Sequence, residues 1–227
     1  MEGVKTGPSA GAGQQADGRS RRWEGYRATR RAELVEAAIR AVRRHGATVG
    51  MEDIAAEAGT SKAGIYRHFS DKDDLYVAVG SRIAADLVAD ITAALASEAH
   101  PRRALAAAID AYLSVIESDP EPYRFIVHRP LVDRTDTPDP MADYTAVVAT
   151  YAADLIGEGL RGAGLDGAPA ELWGHAVVGY VRAAGDWWMD HPSISRPALT
   201  EYLTALVWGG FRGIGPPPGP APRTRHG

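Results

Sequence analysis

The sequence predicts an all-α protein, with a small three-helix unit at the front and a larger helical unit behind it. Three observations predict this. Apolar residues recur at three- and four-residue spacing through most of the chain. No run alternates apolar and polar residues over the length of a strand. Ala is abundant, while Gly and Pro gather between the periodic segments and at the two ends.

The elements follow in order. Residues 1–24 are rich in Gly, Ser, Ala and Gln with few apolar anchors, and read as a disordered tail ending in the basic stretch RSRRWEGYR. Leu34, Val35, Ala38, Ile39 and Val42 share one face of a first helix at about Thr29–His45, which Gly46 ends. A second, short helix carries Met51, Ile54, Ala55 and Ala58 and stops at Gly59; Gly50 at its start supplies no side-chain oxygen for capping. A third runs from Lys62 to Phe69 with Ser61 as its N-cap. A fourth begins after Ser70, with Ser70 and Asp73 as a capping-box variant. Its apolar face continues through Leu75, Val79, Ile83 and Leu87, so it is long and joins the two units. Further helices are predicted over Pro101–Ser118, Met141–Leu160, Glu171–Asp190 and Pro197–Phe211, and GPPPGPAPRTRHG reads as a second tail. The predicted organisation is tail 1–24, first domain 25–75, second domain 76–214 and tail 215–227.

The composition narrows the function classes. There is no Cys, which excludes disulfides, thiolate metal sites and Cys nucleophiles, and which suits a reducing cytoplasm. No apolar run approaches the ~18 residues that span a bilayer, and the N-terminus lacks the apolar stretch of a secretory signal. The formal net charge of −4 is unevenly spread. Residues 19–82 hold 13 Lys and Arg against 9 Asp and Glu, a net of +4, whereas residues 83–227 carry −7. A mildly basic front therefore precedes an acidic rear.

The stretch IAAEAGTSKAGIYRHF, residues 54–69, places two helices too short to persist alone on either side of Gly59. They become stable by packing on the first helix through Ile54, Ala55, Ile65 and Phe69. That account explains a compact helical corner but not the outer face of the third helix. Thr60, Ser61, Lys62, Gly64, Tyr66 and His68 are small, hydrogen-bonding or cationic, and Lys72 stands at the start of the next helix. Small residues at a helix N-terminus permit close approach to a groove, and the free N–H groups favour phosphate. This is the chemistry of a helix-turn-helix whose last helix enters the major groove.

The run IAAEAGTSKAGIYRHFSDKDDL, with the preceding helix RAELVEAAIRAVRRHGA, closely resembles the DNA-binding signature of tetracycline-repressor-type (TetR family) transcriptional regulators. The resemblance is strong over residues 27–79 and looser over 26–214. It implies that Thr60, Ser61, Lys62, Gly64, Tyr66, His68 and Lys72 contact DNA. It also implies a rear domain that dimerises and binds an effector, and hence a transcriptional regulator, a repressor rather than an activator, released from a palindromic operator by a small molecule. On this reading the partners are duplex DNA, an unidentified small-molecule effector and a second copy of the chain, with no membrane partner and no cofactor. The basic residues Arg19, Arg21, Arg22 and Arg27 suit either a minor-groove arm or a solvated tail.

In the rear, Val177, Val181 and Ala184 on one helix and Leu203, Leu206 and Val207 on the last suit a four-helix dimer interface. Intramolecular core is the alternative for each. Tyr112, Phe125, His128, Tyr144, Tyr151, Trp173, His175 and Tyr180 are candidates for an effector pocket, against ordinary helical core. GAGLDG formally matches GxGxxG but follows a helix and lacks the strand–turn–helix context of a dinucleotide site. Asp186, Asp190 and His191 read as an exposed helix end rather than a cation site. Neither a GxSxG elbow nor an HExxH motif occurs, and no catalytic or metal-binding set is assigned. The rival classes are an enzyme or carrier with an incidental helix-turn-helix, and a helical adaptor without salt-sensitive DNA binding.

Overall fold

The computed structural model describes the backbone of residues 11–127 and 140–212, and the side chains of residues 23, 25–127 and 145–210. Among the described residues every regular element is a helix: α1 (Gly11–His45), α2 (Met51–Glu57), α3 (Lys62–Tyr66), α4 (Lys72–Ala96), α5 (Pro101–Ser118), α6 (Pro120–Val127), α7 (Pro140–Gly162), α8 (Ala170–Asp190) and α9 (Arg196–Arg212). The chain divides into two compact units, and the division falls inside α4 at Val79/Gly80 rather than at the expected 75/76.

The first unit is held by one face of α1. Leu34, Val35, Ala38, Ile39 and Val42 are buried, as are Ile54 and Ala55 of α2, Ile65 of α3, Phe69, and Leu75 and Val79 of α4. Arg40 and Arg44 both pair with Glu57, at 3.1 and 3.0 Å, which ties α1 to α2. Tyr76 of α4 donates its hydroxyl to the Val49 carbonyl at 2.6 Å and so anchors the α1–α2 turn. Two expectations are corrected here. α1 begins at Gly11, inside the stretch expected as a tail. Gln, Ala and Arg are good helix formers, and extending an existing helix avoids a new nucleation cost. The cap of α4 is Asp71, not Ser70: Asp71 Oδ1 accepts the Asp74 N–H at 2.8 Å. The carboxylate that reaches back is Asp74, not Asp73, and it takes the Ser70 N–H at 3.0 Å.

In the second unit α4, α5, α6, α8 and α9 share one core, in which Leu87, Ile91, Ile109, Leu113, Tyr123, Trp188, Leu199 and Leu203 are buried. Leu203, considered for the dimer interface, is therefore intramolecular core. α7 lies directly on α8 because Gly174 has no side chain. A Cβ there would stand 2.5 Å from the Ala149 carbonyl oxygen and 2.8 Å from the Ala153 nitrogen. Arg196 joins the start of α9 to α5 through Asp110 at 2.7 Å and Glu117 at 2.9 Å. Trp188 donates its indole N–H to the Ile194 carbonyl at 2.7 Å and closes the α8–α9 turn.

Candidate nucleic-acid interface and ligand cavity

The turn between α2 and α3 is built by glycine and two backbone hydrogen bonds. Gly59 adopts φ +60°, a left-handed conformation that glycine tolerates without strain. Its N–H donates to the Ala56 carbonyl at 3.1 Å, and the Thr60 N–H donates to the Ala55 carbonyl at 3.0 Å. This is a Schellman ending, and it satisfies carbonyls that α2 would otherwise leave open. Ser61 then starts α3, its hydroxyl accepting the Gly64 N–H at 3.1 Å.

The expected contact residues do different things in this arrangement. Tyr66 is 44% exposed, large and aromatic, and projects from α3. Lys62 is exposed, but its ammonium is paired with Glu52 of α2. Lys72 at the start of α4 lies over the Tyr76 ring, 4.9 Å from its centroid. Gly64 is buried. The space that its Cβ would need is filled by the Thr60 hydroxyl oxygen, 2.2 Å away. Thr60 and Gly64 therefore form a packing pair inside the turn, and the Gly64 N–H is already taken by Ser61.

His68 marks a concentration of positive charge that the sequence reading missed. Burial, and then the charges of Arg30, Arg27, Arg67 and Arg31, hold its imidazole below the usual histidine range. Arg31 is committed to structure. It donates to the His68 carbonyl at 2.7 Å, pairs with Asp74 at 2.6 Å and stacks over the Phe69 ring at 4.0 Å. Arg27 and Arg67 are exposed. Arg67 follows Tyr66 directly and Arg30 lies in α1, so the cue available was charge beside α3 rather than position within it. Arg30 is paired with Glu33 at 2.7 Å, so the exposed guanidinium groups near His68 are those of Arg27 and Arg67.

The second unit contains an apolar cavity of about 110 Å³. Leu87 and Ile91 of α4, Leu105 and Ile109 of α5, Val148 of α7 and Val177, Val178 and Val181 of α8 line it; Tyr112, Thr145 and Arg182 also border it, but its surface is almost wholly apolar. Of the six described residues expected at a pocket, Tyr112 alone lines this cavity. Trp173 and Tyr180 line a second, more open hollow with Leu206 and Val207. Phe125 is buried on α6, whereas Tyr151 and His175 are exposed. His128 and the side chain of Tyr144 lie outside the described residues. Aliphatic side chains, indistinguishable in sequence from core, build most of the wall.

A buried polar chain borders the cavity. Tyr123 donates to Asp186 Oδ1 at 2.6 Å, and its oxygen lies 2.6 Å from the Tyr112 hydroxyl. Since Tyr123 has one hydroxyl proton and spends it on Asp186, Tyr112 is the donor to Tyr123. Burial pushes both phenols well above the usual tyrosine range. Asp186 therefore serves an internal network and is not simply part of an exposed helix end.

On the surface of α8 and α9 the exposure pattern departs in part from the expected interface, of which Leu206 is exposed. Val177 and Val181 line the cavity, and Val181 and Ala184 pack on the core. The exposed apolar residues are Leu172 (70%) and Trp187 (51%) on α8, and Tyr202 and Leu206 (each 64%) on α9. Leu172, Ala176, Gly179, Ala183 and Trp187 are all exposed at helical spacing, so the α8 stripe is small in its middle and large at its ends.

Comparison with known proteins settles the family. Residues 24–79 match the family described as bacterial regulatory proteins, tetR family, and residues 90–216 match the tetracyclin repressor-like C-terminal domain. The chain belongs to the TetR family. It is 36% identical over 201 residues to an HTH-type transcriptional regulator of Mycobacterium tuberculosis (strain ATCC 25618 / H37Rv), covering 88% of this chain and 85% of that one. It is 31% identical over 164 residues to the HTH-type transcriptional activator FasR of Mycolicibacterium smegmatis, covering 71% and 73%. Among solved structures, FadR from Bacillus subtilis in complex with stearoyl-CoA has the same fold, with a TM-score of 0.62 at 17% identity over 79% of this chain and 98% of that one. A tetR-family regulator from Streptomyces coelicolor gives 0.62 at 21% identity over 80% and 79%. This TetR-family chain is a transcriptional regulator with a helix-turn-helix DNA-binding domain, not an enzyme.

Proposed function

We propose that the chain acts in the cytoplasm as a homodimeric repressor that leaves a palindromic operator when a small molecule fills the second unit. The observation that supports this is the exposed side of α3, where Lys62, Tyr66 and Arg67 are accessible, with the exposed Arg27 and the Glu33-paired Arg30 of α1 close enough to act on His68. Tyr66 and Lys62 then reach the groove, and Lys62 exchanges Glu52 for a phosphate or a base edge. Lys72 and the guanidinium groups bind backbone. Thr60 and Gly64 shape the turn that presents them. Two copies of α3 spaced about one DNA turn apart, ~34–36 Å, read the two halves of a palindrome. The exposed stripe on α8, together with Tyr202 and Leu206 of α9, is the surface that joins the copies.

Release follows from linkage. An effector that prefers the conformation poorly matched to DNA lowers operator affinity by its differential affinity for the two states. Since α4 runs through both units, a tilt of this helix is the proposed lever. The test is fluorescence anisotropy on the chain's own upstream DNA across a salt series. Tyr66→Ala and Lys62→Ala weaken specific binding, while Lys72→Ala weakens binding to all sequences alike and lowers the salt slope by about 0.9. Undiminished binding by all three variants refutes the reading. The relative named as an activator favours one second reading, in which the bound dimer recruits transcription rather than blocking it. A reporter placed downstream of the operator separates the two by the sign of its response.

A further inference from the structure

We infer that the aromatic pair Trp23–Tyr26, on the front of α1, packs against the sugar–phosphate backbone of duplex DNA beside the stretch that α3 enters. This rests on the DNA-binding reading above and adds to it a contact outside the helix-turn-helix. The two rings meet edge to face, with centroids 6.4 Å apart and planes at 82°. That contact still leaves Trp23 67% and Tyr26 64% exposed. Single surface aromatics are ordinary, but two together beyond the buried part of their helix form a patch that suits a partner.

Placement and charge select DNA as that partner. Trp23, Arg27 and Arg30 follow one another at four- and three-residue spacing, and so share one stripe of α1. Arg27 and Arg30 both act on His68, just past the end of α3, so the stripe continues from the face proposed to meet DNA. Arg31 donates to the His68 carbonyl and marks where α1 meets that end of α3. From there back to Trp23 the helix extends about 12 Å, roughly three or four phosphates along one strand. Residues 19–31 hold six Arg against one acidic residue, Glu24, a net of +5 in a chain of net −4. Such a charge suits a polyanion and not an apolar protein groove. The rings suit the backbone. Deoxyribose offers an apolar face to cover, and the indole N–H and phenol hydroxyl donate to phosphate oxygens. The contact therefore carries no base preference of its own.

Fluorescence and footprinting on the full chain test this. Trp23 is the one tryptophan of the first unit, since Trp173, Trp187, Trp188 and Trp208 lie in the second. Acrylamide quenching of the parent minus that of Trp23→Phe therefore isolates its signal. Saturating sonicated genomic duplex at low salt is expected to cut that quenching at least about twofold, because the contact is to backbone. Hydroxyl-radical footprinting on the chain's own upstream DNA reads the same contact from the sugars. The double variant Trp23→Ala/Tyr26→Ala loses protection of the sugars adjoining each half-site and keeps that of the half-sites. Its affinity falls at least about fivefold. The salt slope stays unchanged, since neither ring carries charge. Ala favours helix, so its far-UV circular dichroism matches the parent's and separates a lost contact from a lost helix. If Trp23 is as accessible on DNA as off it, or the footprint is unchanged in the double variant, the inference is overturned and the helix-turn-helix reading stands. A parent that binds no duplex at all overturns both. Should the double variant lose binding to phosphatidylglycerol vesicles while binding DNA like the parent, the pair belongs to a membrane surface and the inference is again overturned.

Discussion

Thr60 and Gly64 lie in the segment that the resemblance assigns to DNA contact, yet their geometry makes them a packing pair, and one substitution separates the two roles. A Cβ at position 64 would stand 2.2 Å from Thr60 Oγ1, about 1.2 Å inside the 3.4 Å at which ordinary contact begins. Gly64→Ala gains up to ~1 kcal/mol of helix propensity. It also forces the Thr60 hydroxyl from its rotamer, or the two residues apart, at a cost of ~1–3 kcal/mol for an overpacked site. The overpacking cost outweighs the propensity gain, so Gly64→Ala destabilises the first unit by up to about 2 kcal/mol. Thr60→Ala removes the obstructing oxygen. The double variant Thr60→Ala/Gly64→Ala is therefore expected to regain most of that loss, with a coupling energy of ~1 kcal/mol or more. Urea denaturation followed by circular dichroism measures all four members of the cycle. Additive effects, or a stabilising Gly64→Ala in the parent background, would refute the reasoning. Thr60 and Gly64 would then be available to the groove after all.

Other predictions rest on independent contacts. Gly174→Ala destabilises by ~1–3 kcal/mol, because its Cβ meets α7 backbone that cannot step aside; Gly159→Ala faces open space on α7 and stabilises by up to ~1 kcal/mol. Tyr123→Phe removes the bridge between Tyr112 and Asp186 and lowers stability by ~1–3 kcal/mol in the same denaturation assay. The Arg31 hydrogen bond holds the Asp74 carboxyl below 3.8 although burial pushes it up. Its contribution is therefore present above pH 3.8 and disappears as pH falls through the lower folded value. Asp74→Asn should flatten that acid limb of the unfolding curve. Operator phosphates should raise the depressed His68 value, so that binding takes up a proton and tightens as pH falls from 8 to 6; His68→Gln should abolish that dependence in anisotropy titrations.

The helices were legible because periodicity survives in sequence. The face Leu34, Val35, Ala38, Ile39 and Val42 needs only the 3.6-residue repeat to be seen, and Gly46 and Gly59 mark the ends. The choice between Ser70 and Asp71 as a cap was not legible, because both residues cap well and only backbone geometry decides. The candidate DNA-binding face was partly legible. Tyr66 and Lys62 stand out by type, but the pairing of Lys62 with Glu52 joins different helices and leaves no local trace. The Arg27, Arg30 and Arg67 cluster likewise forms only when α1 and α3 come together. The cavity was the least legible feature. Aromatic residues attract attention in a sequence, whereas Leu87, Ile109 and Val178 look like any other core residue until the helices leave a gap between them.

The central claim is that the exposed side of α3 enters DNA, and Lys62 offers the most direct measurement of it. Glu52 now neutralises Lys62 in an exposed pair, so Glu52→Gln removes a carboxylate from the face proposed to meet phosphate and costs the fold less than ~1 kcal/mol. Affinity for the chain's own upstream DNA should rise severalfold, and the salt slope should steepen by up to ~1. An unchanged or weaker affinity, with the fold intact, would mean that this face of α2 and α3 does not approach the duplex.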